Sequence, residues 1–407
     1  MTGTTPATLP PETEARPTVQ LLAGHGQRLR RGAPWVFSNE VKFGPELRRL
    51  APGTLVELRD PAGHTLGNAS FNPHSLICAR LWSEDAATPV DRAFFAARLR
   101  AALELRRRFF DRPYYRLVHA EADRLPSVVI DRYGDLLSLQ TNTAGAERLL
   151  PEILAALDEV LAPAAVLLKN DSPVRALEGL PCDIRAAKGT IPGPIEIVEN
   201  GARFQIDLLQ GQKTGWFYDL AAARAMTAPL AAGGRMLDLY SHTGAFAIQS
   251  ALAGATEVLA IERSETAIAL ARASAALNAV AERCRFDKAD VFAALARLSD
   301  EGGRFQLVVA DPPSFVKAKK DLPSGIKAYR KLTRLCAPLV APGGFFFIAS
   351  CSHHVGAEAF AAEVAHGLQQ AGRSGRILAA GGAGPDHPLH PALPETAYLK
   401  WQLLQLD

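Results

Sequence analysis

Four carboxylates and one thiol in the C-terminal half of this 407-residue chain have a spacing that chemistry can use. Asp238 lies near the end of the hydrophobic run Met236-Leu237-Asp238-Leu239. The loop Tyr240-Ser241-His242-Thr243-Gly244 follows and enters a helix at Ala245-Phe246. In open α/β sheets, ligands bind at the carboxyl ends of strands. This loop has neither G-x-G-x-x-G nor G-x-x-x-x-G-K-S/T, so no phosphate cradle is specified. An acid there suits a positively charged ligand, such as a sulfonium or ammonium group; the plainer reading is an ordinary strand–helix turn. Glu262 ends Val258–Ile261, 24 residues on, where dinucleotide folds grip ribose hydroxyls. Asp290 follows a third strand expected at Arg285–Phe286, suited to accept from an adenine amino group with Phe292 as an apolar wall. Each acid alone is weak. Three at successive strand ends point to an adenosyl ligand without phosphates, and S-adenosylmethionine meets all three constraints.

Asp311 opens Asp311-Pro312-Pro313-Ser314-Phe315, whose prolines fix the chain and restrict Asp311 to extended geometry. A rigid acid presented beside a planar base is its expected use. Cys351 ends the buried run Phe346–Ser350 and precedes Ser352-His353-His354. A lone cysteine is usually an inert buried thiol. Here the strand-end position and polar neighbours favour a reactive one, with Asp311 expected on the adjacent strand. The segment Leu209-Gln-Gly-Gln-Lys213-Thr-Gly-Trp-Phe217-Tyr-Asp219 adds a base and three aromatics. Its Lys213 and Phe217, together with Tyr240 and Gly244, join the expected cofactor site. The plainer reading of that segment is a solvent loop with a hydrophobic anchor.

These residues need elements to hold them. Beyond about residue 230, strands at Met236–Leu239, Glu257–Ile261, Phe305–Ala310 and Gly344–Ser350 alternate with helices at Ala245–Ala253, Glu265–Asn278 and Ile326–Leu335. That alternation predicts a parallel sheet with helices on both faces. Residues 18–90 read as a small, mostly β domain with turn signals at Pro52-Gly53 and Asp60–Gly63. Thr88-Pro89 signals a helix start, and residues 91–112 form an amphipathic linker helix with Phe95, Leu99 and Leu103 on one face and Arg98, Arg106 and Arg108 largely off that stripe. Residues 113–199 read as a small α+β unit, and 200–407 as the unit with the parallel sheet. Asn200-Gly201 marks a hairpin turn. Asp386-His387-Pro388 and Tyr398-Leu399-Lys400-Trp401 bracket the last hairpin, where a strand role is expected.

Composition sets the outer bounds. Hydrophobic residues make up 48% and charged residues 21%, a globular balance that excludes wholesale disorder. No apolar run reaches the roughly 20 residues of a membrane span. Residues 1–17 are polar and Pro/Thr-rich and read as a disordered tail, not a signal peptide. Five cysteines without a CxxC pair suit a reducing cytoplasm and speak against a zinc site or disulfide framework. The net charge of +3 is uneven: residues 21–116 hold sixteen Lys and Arg against nine Asp and Glu. An Arg-rich excess suits phosphate contact, although arginines also solvate helix faces. His25–Ser38 concentrates Arg28, Arg30, Arg31 and Trp35, a run suited to gripping an RNA backbone.

The phrases GAPWVFS, LQGQKTGWFYD, LDLYSHTGAF, DPPSFV and SCSHH, in this order, resemble the RlmI-type bacterial ribosomal RNA large-subunit methyltransferases. The resemblance spans nearly everything after residue 17. It implies an N-terminal PUA domain, a small central α+β domain and a C-terminal Rossmann-like methyltransferase domain. It also implies S-adenosylmethionine as cofactor, large-subunit rRNA as partner and 5-methylcytosine as product. By the same resemblance Asp238, Glu262, Asp290 and Asp311 match cofactor-site positions, and Cys351 matches the catalytic thiol. Many RNA cytosine-5 methyltransferases carry a second Cys after the Asp-x-Pro segment; this chain has Pro313 and Ser314 there. The expected activity is therefore cytosine-C5 methylation through a cysteine adduct. The alternatives are methylation of a base nitrogen without covalent catalysis, and a non-catalytic RNA-binding assembly factor. The sequence leaves the oligomeric state open, a homodimer included.

Overall fold

The computed structural model describes residues 16–211 and 214–407. The expected tail up to residue 15, and Lys213, lie outside the described residues. Arg16 and Pro17, assigned to the tail, are tied down: Arg16 Nη1 donates to the Ala86 carbonyl at 2.8 Å, and the Pro17 carbonyl accepts from Glu57 N at 2.9 Å. No helix among the described residues is long and apolar enough to cross a membrane.

The N-terminal sheet has five strands in the order Thr18–Gln20, Thr54–Arg59, Thr65–Phe71, Ile77–Ser83, Trp35–Phe37. It closes on its own core of Val19, Val56, Leu58 and Phe71. A second five-stranded sheet runs Asp183–Lys188, Ala165–Asn170, Leu136–Thr141, Val128–Tyr133, Tyr114–His119. The helix Arg92–Arg107 packs on it beside Leu150–Leu161. Phe95, Leu99 and Leu103 are buried as their spacing predicts, within the same core as Leu117, Ile130 and Leu139. The expected linker helix is thus part of the central unit's core. Its cap is Asp91, whose carboxylate accepts from Phe94 N at 2.9 Å, rather than Thr88. Arg106, expected off the apolar stripe, is fully buried. It forms a two-bonded pair with Asp123 and donates to the Asp386 carbonyl at 2.8 Å.

Ile195–Glu199 and Ala202–Ile206 form the expected antiparallel hairpin, with Asn200 and Gly201 at φ 51° and 81°. The boundary expected between residues 199 and 200 falls in this turn. Both strands bury Ile197, Ala202, Phe204 and Ile206 in the core beneath the C-terminal sheet, which Tyr133 and Leu167 of the central unit also join.

The C-terminal sheet contains β1 (Arg235–Leu239), β2 (Glu257–Glu262), β3 (Cys284–Lys288), β4 (Phe305–Ala310), β5 (Val340–Ser350), β6 (Gly375–Gly381) and β7 (Lys400–Leu406), in the order β3-β2-β1-β4-β5-β7-β6. The first five in that order are parallel, whereas β7 runs antiparallel to both β5 and β6. The sheet is therefore mixed, not purely parallel. Runs such as Leu307–Ala310 and Phe346–Ala349 are continuous in hydrophobicity because both faces are covered. On one face lie α1 (Ala245–Leu252) and α2 (Glu265–Leu277); on the other lie α3 (Val291–Asp300), α4 (Leu322–Cys336) and α5 (Ala357–Gln370).

Candidate active site

Strand order brings the strand-end residues to one edge. Asp238 belongs to β1, Glu262 ends β2, Asp290 lies two residues beyond β3, and Asp311 and Cys351 directly follow β4 and β5. The β4–β5 pairing, Ala310 opposite Ile348, makes Asp311 and Cys351 products of adjacent strands, as the sequence predicts.

The loop after β1 reverses with two left-handed non-glycine residues, Tyr240 at φ 62° and His242 at φ 48°, and Gly244 at φ 78°. A Cβ on Gly244 would meet Phe286 at 3.0 Å and Ala271 at 3.2 Å, so glycine permits both the turn and the close seating of α1. Left-handed conformations cost free energy for residues with a Cβ and persist where surroundings enforce them. Here Ser241 N donates to the Ile261 carbonyl at 3.1 Å, and Glu262 accepts from His242 N at 2.9 Å. The other Glu262 oxygen accepts from Arg263 N at 2.7 Å and Ser264 N at 2.9 Å.

A cavity opens above this loop. Its walls include Trp216, Phe217, Arg224, Asp238, Tyr240 and Asp311. Asp238 is almost wholly buried; Oδ2 accepts from Ala247 N at 3.1 Å, while Oδ1 is buried with no hydrogen-bond partner among the described residues. Burial, reinforced by the charges of Asp311 and Glu262, pushes its carboxyl up to about 8. Such an orphaned polar atom in a cleft marks a place where a ligand is expected to supply the missing hydrogen bond. Phe217 stands edge-on to His242, ring centroids 5.2 Å apart. Acids, aromatic walls and the absence of a phosphate cradle together fit S-adenosylmethionine.

Of the expected cofactor residues, Asp238, Tyr240, Phe217 and Asp311 line this cavity, and Gly244 shapes the loop beneath it. Glu262 and Asp290 are not in its lining. Glu262 braces the loop, and Asp290 Oδ1 caps α3, accepting from Phe292 N at 3.0 Å and Ala293 N at 3.2 Å. These carboxylates sit at strand ends because helices begin there, and unpaired helix-start amides recruit acids. Sequence reasoning missed the pair beneath the cavity. Arg224, fully buried, donates to Glu199 through Nε at 2.6 Å and Nη2 at 2.9 Å. Glu199 also accepts from Trp216 Nε1 at 2.7 Å and Gln249 Nε2 at 3.0 Å. Asn200-Gly201 announced the turn beside Glu199, but nothing local announced its partners.

Cys351 is half-buried beside the apolar core that includes Phe347 and Ala349. Next to it, Ser352 Oγ lies 2.9 Å from Ser314 Oγ and 2.8 Å from Tyr329 Oη, while Ser350 Oγ donates to Tyr329 Oη at 2.8 Å. Ser314 thus ties the Asp311–Phe315 loop to the thiol's strand. Lys400, expected to serve only as a strand residue, donates from Nζ to the carbonyls of Ser352 and Tyr398. Burial raises the thiols of Cys78 to about 12 and Cys284 to about 11, and raises Cys336 as well; Cys182 is exposed.

The four residues expected to grip RNA separate. Arg28 and Arg31 line an open cleft against Pro391, Pro394 and Glu395, with Arg28 paired to Glu395. Arg30 is exposed and donates to the His25 carbonyl at 3.3 Å. Trp35 is turned inward instead: its indole N–H donates to buried Glu121 at 3.0 Å, joining the first sheet to the second.

A family model described as S-adenosylmethionine-dependent methyltransferase matches residues 184–373, and one for a PUA-like domain matches residues 19–84. A protein from Erwinia tasmaniensis named ribosomal RNA large subunit methyltransferase I is 34% identical over 391 residues, which is 94% of this chain and 98% of that relative. Its namesake from Vibrio cholerae is 33% identical over 394 residues, with the same coverage. Among solved structures, a putative SAM-dependent methyltransferase from Streptococcus mutans superposes with a TM-score of 0.80 at 21% identity, covering 96% of this chain and all of that one. A putative methyltransferase solved with SAH gives 0.81, also at 21%. The fold is shared from the first sheet to the last strand. By sequence along nearly its whole length, the chain belongs to the ribosomal RNA large subunit methyltransferase I family, S-adenosylmethionine-dependent enzymes with a PUA-like domain ahead of the methyltransferase sheet.

Proposed function

We propose that this methyltransferase acts on C5 of a cytosine in large-subunit ribosomal RNA, through a covalent adduct on Cys351. The observation that carries the reading is the half-buried thiol directly after β5, whose neighbouring strand β4 leads into Asp311, a residue that lines the cavity. The relatives' names support the RNA class. Cytosine C5 is a poor nucleophile. Addition of the Cys351 thiolate at C6 forms the Sγ–C6 bond and moves the ring electrons to C5. Asp311 holds the N3/amino edge and offsets the charge that develops there. S-adenosylmethionine supplies the methyl group as an electrophilic sulfonium. H5 then leaves as a proton to a base, and the Sγ–C6 bond breaks to return the thiolate. Asp238 holds the cofactor from the cavity wall; Glu262 and Asp290, besides bracing the loop and capping α3, are assigned to its ribose and adenine, and Lys213 is assigned to the same cofactor. Arg28, Arg30 and Arg31 take the RNA backbone. A base within a folded helix is out of reach, so the target must be single-stranded or flipped.

Rigid trapping tests this. RNA carrying 5-fluorocytosine at the target should leave a denaturation-resistant RNA–protein band, because fluorine cannot leave as the proton does. The band should require cofactor and vanish in Cys351→Ala. A Cys351→Ala variant that still methylates the RNA would favour a base nitrogen as acceptor instead.

A further inference from the structure

We infer that Lys400 is the positioning cation of Cys351, fastened to the backbone that carries the thiol and supplying the positive field that keeps its sulfur as a thiolate. The inference rests on the proposed nucleophilic role of Cys351.

The geometry comes from the strand order. β7 pairs antiparallel with β5, and Lys400 is the register partner of Ser350, one residue before the thiol. The Lys400 residue is 7% exposed. Its Nζ donates to the carbonyl of Ser352, one residue after the thiol, and to that of Tyr398 at 2.9 Å. The ammonium is therefore bound to the peptide segment on which Cys351 stands. Buried ammonium groups are ordinarily balanced by an anion. Among the described residues no carboxylate forms an ion pair with Lys400. The acidic group whose charge acts on Lys400 is Cys351. Burial pushes the lysine down to about 8, and the sulfur's negative charge works against that push. The lysine thus lacks an anion that the thiolate would provide.

The surroundings sharpen the need. Tyr329 of α4 reaches Ser350 and Ser352 with its hydroxyl, and burial holds it neutral by raising its pKa. Tyr398 accepts the lysine through its carbonyl, presents its ring to His353 at 5.4 Å and donates its hydroxyl to Asp219 at 2.5 Å. Asp311 ends the adjacent strand. Burial raises the pKa of a thiol, and a fixed cation nearby favours its ionised form. On ionisation the S–H bond breaks, the electron pair stays on sulfur and the proton passes to solvent. Nothing is oxidised or reduced.

Alkylation of the full-length protein by iodoacetamide, followed peptide by peptide from pH 5.5 to 10 without RNA or cofactor, reads the Cys351 thiol apart from the other four cysteines. In the wild type its rate should reach half-maximum about one pH unit or more below the ordinary thiol value of about 8.5. Lys400→Gln keeps donors for the two carbonyls but removes the charge. It should move the half-point up by about one unit or more, slowing alkylation at pH 7 about tenfold. A role confined to holding the carbonyls would leave the half-point of the folded Gln variant in place, and that result would overturn the inference. Should Lys400→Gln not fold, the wild-type profile decides, since a half-point at or above the ordinary value refutes a thiolate field. Failure of the 5-fluorocytosine trap would instead remove the nucleophilic role while leaving the alkylation profile standing.

Discussion

The Asp238 carboxyl is held protonated to about pH 8 by burial, far above an ordinary aspartate. Its unfolded counterpart ionises near pH 4. Between these values the unfolded chain releases a proton that the folded chain keeps. The Asp238 contribution to stability is therefore fully present below about pH 4 and lost as pH rises through about 8. Asp238→Asn removes this dependence. The melting temperature of the cofactor-free variant should exceed that of the wild type most at pH 8 and above, and the gap should narrow towards pH 4.5. A gap independent of pH in thermal melts would mean that Asp238 is not buried in its neutral form. The same substitution should weaken cofactor binding, because it replaces the unpartnered carboxyl oxygen in the cavity wall.

At the scale of elements, a set of hydroxyls fixes the end of β5, together with the Lys400 ammonium on the Ser352 carbonyl. Tyr329 on α4 joins Ser350 and Ser352, and Ser352 reaches Ser314 beyond β4. All but Ser314 are fully buried. Tyr329→Phe leaves the Ser350 hydroxyl without its acceptor, at a cost of about 1–3 kcal/mol for a buried unsatisfied group. Denaturant titration should show that loss. Trapping on 5-fluorocytosine RNA should slow as well, since Asp311 and Cys351 lose part of their mutual alignment. A variant with wild-type stability and trapping rate would dismiss the network as incidental. The loop after β1 follows the same logic: its strained residues are held by Glu262 and by the β2 backbone.

Across the whole molecule, the three sheets are joined by buried polar contacts. Glu178 of the central unit accepts from Asn72, Ser75 and Arg80 of the first sheet. The chain between β6 and β7 is clasped at Asp386, which accepts Arg116 N through Oδ2 at 3.0 Å and Arg106 through its carbonyl. His387 lies against His119, ring centroids 5.0 Å apart. Burial and neighbouring cations depress His119 to about 2, so it stays neutral throughout the physiological range. The cleft lined by Arg28, Arg31 and Glu395 therefore has walls from both ends of the chain. With Arg28→Ala and Arg31→Ala combined, RNA affinity should fall and the log–log salt slope should flatten by about 1.4 for a single-stranded ligand, two phosphate contacts at about 0.7 each. An unchanged slope in binding assays across 50–200 mM salt would take the RNA out of this cleft.

The sequence by itself determined the strand-end acids, the two-proline segment, the Asn200-Gly201 turn and the strand-end place of Cys351. Each is a local signal, because a buried strand, its exit and the next helix start are contiguous in the chain. It also determined that Phe95, Leu99 and Leu103 face a core, since helical spacing alone decides that. Tertiary structure decided what each polar group does there. Glu262 and Asp290 were legible as strand-end acids, but their use as a loop brace and a helix cap depends on where backbone amides converge. Arg106 and Trp35 read as surface groups until Asp123, Asp386 and Glu121 arrive from other elements. Arg224 meets Glu199 across 25 residues, and Lys400 meets Ser352 across 48. Such contacts have no period or motif, because they exist only once β7 has inserted beside β5 and the hairpin has packed beneath the cavity. Burial then completes the decision: a lysine or carboxylate takes its charge state from what surrounds it, and those surroundings come from distant parts of the chain.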